Sequence, residues 1–291
     1  MALTAKAAAQ IGKLLDLHYC PGDDLEETAR LQGKAENARA LIDYLKATGM
    51  SNFNKLFFRT QASVMFWVEF QDSYRAIDLN VVAQHKNIIQ RETESWARVK
   101  QYAVAENFET HFLSIDISSA NFTTLTEICD LTKSWPEFVR PHLPEANILQ
   151  PEFSAPVPEC LIASKYFRLF VLGKLAKLQP LWELRLLRLY QRVQVLLRNE
   201  KPALVWLNTD ELVLSVDSAE AGHALAERIA AKKPFKSSVF QLEAVDTSEL
   251  KEVPGCHHTE NYCCKRYTDG RWRLTNVHPP HFNQLYVRYS Q

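Results

Sequence analysis

The chain has 291 residues, 46% hydrophobic and 23% charged, the make-up of a soluble globular protein long enough to bury a sizeable core. Lys plus Arg equals Asp plus Glu, at 34 each, so net charge leaves no footprint for nucleic acid, although a sum says nothing of a local basic groove. The six cysteines, at 20, 129, 160, 256, 263 and 264, are too scattered for a disulfide framework, no apolar run approaches the roughly twenty residues of a membrane helix, and the N-terminus lacks a secretory core; an intracellular protein with no membrane span is expected.

In chain order, residues 4–17 and 24–48 predict helices, with Leu31, Ala35, Ala38, Leu41, Ile42 and Leu45 at helical spacing. Lys6 and Lys13, with no acid near them, suit an ordinary first helix. Two β-like runs follow, Ser63 to Phe70 and Tyr74 to Leu79, and Gln71-Asp72-Ser73 between them predicts a β-hairpin. A polar helix is expected over about 81–105, a strand over Phe112 to Ile117 and a helix over Ser119 to Leu131. Six prolines from Pro136 to Pro158 punctuate an irregular connection. Two helices come next, about 160–178 and 181–199, with Pro180 starting the second. The stretch ALVWLNTDELVLSVDS, Ala203 to Ser218, reads as a strand, an acidic turn and a strand. A helix over Ser218 to Lys232 and a strand over Phe235 to Val245 follow. His278, Pro279, Pro280 and His281 read as a loop.

Without the two-helix insertion this order is β-α-β-β-α-β, so the expected fold is α+β and ferredoxin-like. The expected divisions are an N-terminal helical region with a β-hairpin (1–109), a sheet domain (110–135 and 200–291) and a helical insertion (136–199). Such a sheet sets the end of the first strand, Asp116, beside the hairpin tip, Asp210. Two divalent cations held by paired carboxylates, roughly 3.5–4 Å apart, can drive phosphoryl transfer. Mg²⁺ suits carboxylate oxygens. Either Asp alone is an ordinary turn or strand-end residue.

Four stretches in order resemble the palm and fingers motifs of family B DNA polymerases. Asp116-Ile117-Ser118-Ser119-Ala120-Asn121 resembles the first palm motif, with Asn121 where the family has Tyr. Lys165 to Gly173 resembles the fingers-helix motif, with Leu169 and Leu172 replacing Asn and Tyr. Asn208-Thr209-Asp210-Glu211 resembles Asp-Thr-Asp-Ser and keeps its second Asp. Cys264-Lys265-Arg266-Tyr267 resembles Lys-Lys-Arg-Tyr. The matches span residues 116 to 267, about half the chain, and leave no room for an exonuclease domain or a full thumb.

The resemblance implies a palm of α+β class with a fingers-like insertion, and a template-directed nucleotidyltransferase with nucleoside triphosphates and a primer–template as partners. Asp116 and Asp210 would be catalytic and bind two Mg²⁺ ions, with Mn²⁺ an admissible substitute. Lys165, Arg168, Ser119, Asn121 and Gly173 would form the nucleotide site. Lys265, Arg266 and Tyr267 would meet the duplex. Arg185, Arg188 and Arg192, at i, i+3 and i+7, form a basic stripe that could track a phosphate backbone or simply be a solvated face. Asn121 predicts weak sugar discrimination, because it can hydrogen-bond a 2′-hydroxyl. A partner protein could supply thumb or processivity contacts.

Two other readings compete. One is a polymerase-derived scaffold that binds nucleic acid or protein without catalysis, favoured by the missing thumb and altered fingers motif. The other is a diguanylate-cyclase-like enzyme, suggested by Asp210-Glu211-Leu212 but opposed by Asn208-Thr209 where that family has two glycines. Cys256, His257, His258, Cys263 and Cys264 have the residue types for zinc, but their spacing argues against it.

Overall fold

The computed structural model describes residues 3–20, 22–92, 102–144, 155–196, 204–207, 211–230, 235–250 and 261–290. Its helices are α1 (Ala5–Leu14), α2 (Leu25–Leu31), α3 (Ala35–Glu69), α4 (Asp72–Arg75), α5 (Leu79–Glu92), α6 (Ala120–Ile128), α7 (Trp135–Val139), α8 (Glu159–Ile162), α9 (Lys165–Leu172), α10 (Leu178–Leu196), α11 (Ala219–Ala230) and α12 (Pro279–Tyr289). Its strands are β1 (His111–Ile117), β2 (Leu204–Leu207), β3 (Glu211–Val216), β4 (Phe235–Ala244), β5 (Cys263–Tyr267) and β6 (Trp272–Thr275). The class is α+β with an antiparallel sheet. Two compact units divide the chain: Met1–Ala76 with Leu125–Ala176 and Pro279–Gln291, and Ile77–Thr124 with Lys177–His278.

The first unit is helical. Its backbone is α3, which breaks at Gly49 (φ 75°) and runs on to Glu69. Phe53, Leu56, Phe57, Thr60, Gln61, Val64 and Val68 are its buried positions after the break. That spacing of three and four is helical, and it overturns the β-hairpin expected from Ser63 onward: Ser63 to Glu69 continues α3, and Asp72–Arg75 forms α4. The β-propensity of Val64, Phe66, Trp67 and Val68 yields to a tertiary contact pattern that only a helix satisfies. Phe57 meets the Phe167 ring of α9 edge-on at 4.9 Å, and the Trp135 indole N–H donates to the Ile162 carbonyl at 2.7 Å. The helix expected over 160–178 is two short ones. Ser164 caps α9 by accepting from the Phe167 N–H. At Gly173, past the end of α9, a Cβ would lie 2.7 Å from the Leu169 carbonyl oxygen, so local packing by itself demands glycine there. The loop expected around Pro279 and Pro280 is instead the start of α12. Proline costs nothing in a helix's first turn, where its missing N–H has no partner to lose, and Phe282 and Leu285 bury the helix face.

The second unit carries the sheet, in the order β2-β3-β1-β4-β5-β6. Every pairing is antiparallel. Leu113, Ile115, Ile117, Leu212, Leu214 and Val239 point to one face, where Trp182, Leu186, Leu189 and Val193 of α10 and Leu225 and Ala226 of α11 bury them. Burying each large side chain contributes about 1.5–3 kcal/mol. Helix α10 is apolar on two sides, because Leu184 and Leu187 also pack on Val82 and Ile89 of α5. Lys86 and Glu183 form an ion pair between these helices. Pro180 sits in the first turn of α10, as expected, and the helix begins at Leu178. Where α11 crosses the sheet, a Cβ at Gly222 would stand 3.0 Å from both methyls of Val239. Glycine is what lets the helix lie this close.

Candidate functional site

With one face of the sheet covered by helices, the alternation of β1 sends Phe112, Ser114 and Asp116 to the other. Strand pairing then builds rows across that face. Asp116 lies opposite Glu211 on β3 and opposite Lys236 on β4. Directly opposed side chains on one face of an antiparallel pair have Cβ atoms roughly 4.5–5.5 Å apart, and like charges there repel. The row is therefore carboxylate, carboxylate, ammonium. Asp116 and Lys236 are exposed and Glu211 is half-buried.

One row inward, buried Ser114 donates its hydroxyl to Glu211 Oε1 at 2.6 Å. This fixes the Glu211 carboxylate against the sheet. Further along the same face, Phe112, Phe240, Leu242 and Cys263 form an apolar cluster with Tyr102 and Ala103 from the segment before β1. Lys265 is enclosed there, 7% exposed. Its ammonium donates to the Tyr102 hydroxyl and stands over the Tyr102 and Phe240 rings, 4.9 and 4.7 Å from their centroids. Burial pulls the Lys265 pKa down, and the Glu211 charge opposes that pull. Burial pushes Tyr102 up, reinforced by Glu211. Tyr267 is also raised, first by burial and then, against an opposing Arg273, by Glu211. Burial thus dominates all three shifts, and the Glu211 charge adds a smaller contribution to each.

The predicted site residues fall in several places. Asp210, Asn208 and Thr209 lie outside the described residues; Asp210 immediately precedes Glu211 in the chain. Ser119 turns β1 into α6 with left-handed backbone, φ 54°. Asn121, in the first turn of α6, accepts at Oδ1 from the Trp182 indole N–H at 2.9 Å, so one of its two polar atoms is already engaged. Lys165, Arg168 and Gly173 belong to the helical unit, whereas Asp116 belongs to the sheet unit. Lys165 is exposed at the start of α9. Arg168 is half-buried, with its pKa lowered by desolvation. Leu172 is a core residue, while Leu169 is 45% exposed.

Arg188 and Arg192 are exposed on α10, and Arg185 is half-buried. Within Cys264 to Tyr267, Lys265 is enclosed as above, and Arg266 pairs with Glu243 at 2.8 Å. The Tyr267 ring is half-buried, with the Arg271 guanidinium 5.2 Å from its centroid. Cys263 and Cys264 are successive strand residues and both buried; their side chains leave opposite faces, so they cannot grip one ion together. Burial lifts the Cys263 thiol to about 11. Cys256, His257 and His258 lie outside the described residues, among which no group of three or more His, Cys, Asp or Glu could hold a metal.

Three residues of this face carry no motif, Ser114, Lys236 and Tyr102, and Glu211 belongs to the hairpin motif but had no role assigned. Ser114 could have been found from its two-residue offset from Asp116. Glu211 and Lys236 needed the strand register, and Tyr102 left no signal. Among the described residues no helix is long and apolar enough to cross a membrane. No protein-family model matches the chain, and neither does any curated protein or solved structure.

Proposed function

We propose that this chain is a template-directed nucleotidyltransferase with a ferredoxin-like, palm-type sheet, in which Asp116 and Asp210 hold two Mg²⁺ ions. The observation that carries the reading is the β1–β3 register, which seats Asp116 opposite Glu211, the residue next to Asp210. The fold element of the proposal is supported by the order β2-β3-β1-β4 with helices after β1 and β3, as in a split βαβ arrangement. The Asp116 carboxylate, exposed at one end of a sheet face, is an oxygen donor that suits a hard cation. When bound, the ions supply activation of an attacking hydroxyl and charge stabilisation of the leaving phosphate.

The chain's own groups divide the remaining work. Asp116 and Asp210 bind the ions. Glu211, anchored by Ser114, adds negative charge behind them without moving. Lys236, beside Asp116, offsets the paired carboxylates and attracts a triphosphate. Lys265, Arg266 and Tyr267 take duplex contacts by resemblance alone.

A non-catalytic scaffold is the second reading. It is favoured by the two contacts already satisfied inside the protein, Asn121 with Trp182 and Lys265 with Tyr102. Extension of a labelled primer on DNA and RNA templates, with Mg²⁺ and with dNTPs or rNTPs, separates the two. Metal-dependent extension that falls to background in both Asp116→Asn and Asp210→Asn supports catalysis. Extension with rNTPs comparable to that with dNTPs supports relaxed sugar selectivity. Intact nucleic-acid binding with no extension on any template establishes the scaffold instead.

A further inference from the structure

The helical unit carries an aromatic stripe that its own core leaves largely exposed. On α3, Phe58 is 61% exposed, Phe66 67% and, just past the helix end, Phe70 66%. The Phe66 and Phe70 rings lie side by side at a tilt of 46°, centroids 4.6 Å apart. Phe58 is edged on one side by the Phe170 ring, 5.3 Å away, yet all three phenylalanines remain more than half exposed; isolated apolar residues on a surface are ordinary, but three along one helix ridge form an apolar face.

The charges around this stripe say what fits it. Ala62, exposed, lies midway between Phe58 and Phe66, four residues from each. Lys55 and Glu69, both exposed, lie seven residues to either side of Ala62. Seven residues are close to two helical turns, so Lys55, Ala62 and Glu69 share one line along the helix, with the phenylalanines just beside it. Neither Lys55 nor Glu69 forms an ion pair among the described residues. If a second α3 is laid antiparallel on the first and centred on Ala62, Phe58 of each helix meets Phe66 of the other. Lys55 of each then meets Glu69 of the other. The small Ala62 side chains face each other at the crossing, where close approach is needed. Apolar against apolar, plus against minus, with every contact occurring twice, is the signature of an isologous two-fold interface.

We propose that this face of α3 docks on the same face of a second copy of the chain, forming an antiparallel, two-fold helix pair centred on Ala62. The inference does not depend on the nucleotidyltransferase reading.

Sedimentation velocity on the full chain, across concentrations up to about 100 µM, tests it. The wild type is expected to be a reversible dimer. Phe66→Glu places a charge in the interface core and is expected to weaken the dimer more than about a hundredfold. Because Phe66 is exposed, this variant keeps the wild-type circular dichroism spectrum. Lys55→Glu sets two like-charge pairs and is expected to weaken association about tenfold. Lys55→Glu combined with Glu69→Lys restores opposite charges and recovers the wild-type constant. A wild type that stays monomeric throughout overturns the proposal, as does a dimer indifferent to Lys55→Glu or a double variant no better than the single. A monomer that instead co-sediments with anionic vesicles through Phe66 overturns it in favour of a membrane surface.

Discussion

Substituting Gly222 by Ala asks whether α11 rests on the sheet as closely as the structure has it. The added Cβ would stand 3.0 Å from both Val239 methyls and 3.3 Å from Val216 Cγ2. Carbon atoms prefer roughly 3.5–4.0 Å, so either the helix lifts or β4 yields by some tenths of an ångström. Overpacking of this kind costs about 1–3 kcal/mol. Alanine returns roughly 0.5–1 kcal/mol over glycine in a helix. The net expectation is a loss of about 0.5–2 kcal/mol. Val239 is 2% exposed, and truncating it to Ala costs about 2 kcal/mol in transfer and cavity terms. In that background the Val239 clash is gone and the 3.3 Å approach to Val216 Cγ2 is set against the helical gain, so most of the cost of Gly222→Ala should vanish. Urea unfolding of the four chains at fixed temperature closes the cycle, with an expected coupling of about 1–2.5 kcal/mol. Additivity within about 0.5 kcal/mol, or a Gly222→Ala chain more stable than wild type, would refute the reasoning.

Two further outcomes can be checked on the same protein. Cys263 has an ordinary value of 9.0 raised to about 11 by burial. A raised folded pKa means its contribution is intact below pH 9 and is lost as pH climbs through 11. That loss is worth about 2–3 kcal/mol, so wild type should lose more stability between pH 9 and 10 than Cys263→Ala in parallel thermal melts. Equal slopes would show that burying the thiol carries no linkage. Ser114→Ala removes the hydroxyl that donates to Glu211 at 2.6 Å; a hydrogen bond to a charged group contributes about 1.5–3 kcal/mol. A urea midpoint unchanged from wild type would mean Ser114 does not hold Glu211.

The two longest strands were legible in the sequence. Strand β1 falls at His111–Ile117 and β4 at Phe235–Ala244, within a residue or so of their expected ends. The run around Ser63 was not legible. Four β-formers in six residues hide a helical period that becomes clear only when traced from Phe53 to Val68. The Pro279-Pro280 pair was read as a loop because proline both breaks and begins helices, and only Phe282 and Leu285 downstream distinguish the two. At the site, Asp116 could be placed at a strand end, but its opposition to Glu211 and Lys236 could not. A shift of one residue in register would turn every partner to the other face. The burial of Lys265 was hidden for a related reason. Its cover, Tyr102, comes from a distant segment with no pattern linking the two.

An open antiparallel sheet has two borders at which a stray strand can add itself, the route by which exposed sheets seed aggregation. In the described sheet these borders are β2 and β6, each four residues long. Four residues present too few unpaired peptide groups to template a long foreign strand, and β6 carries Arg273, which is exposed. The longest strands, β1 and β4, are interior and paired on both sides. The margins of the described sheet thus offer little for another chain's strand to pair with, while the longest rows of peptide groups are already used inside it.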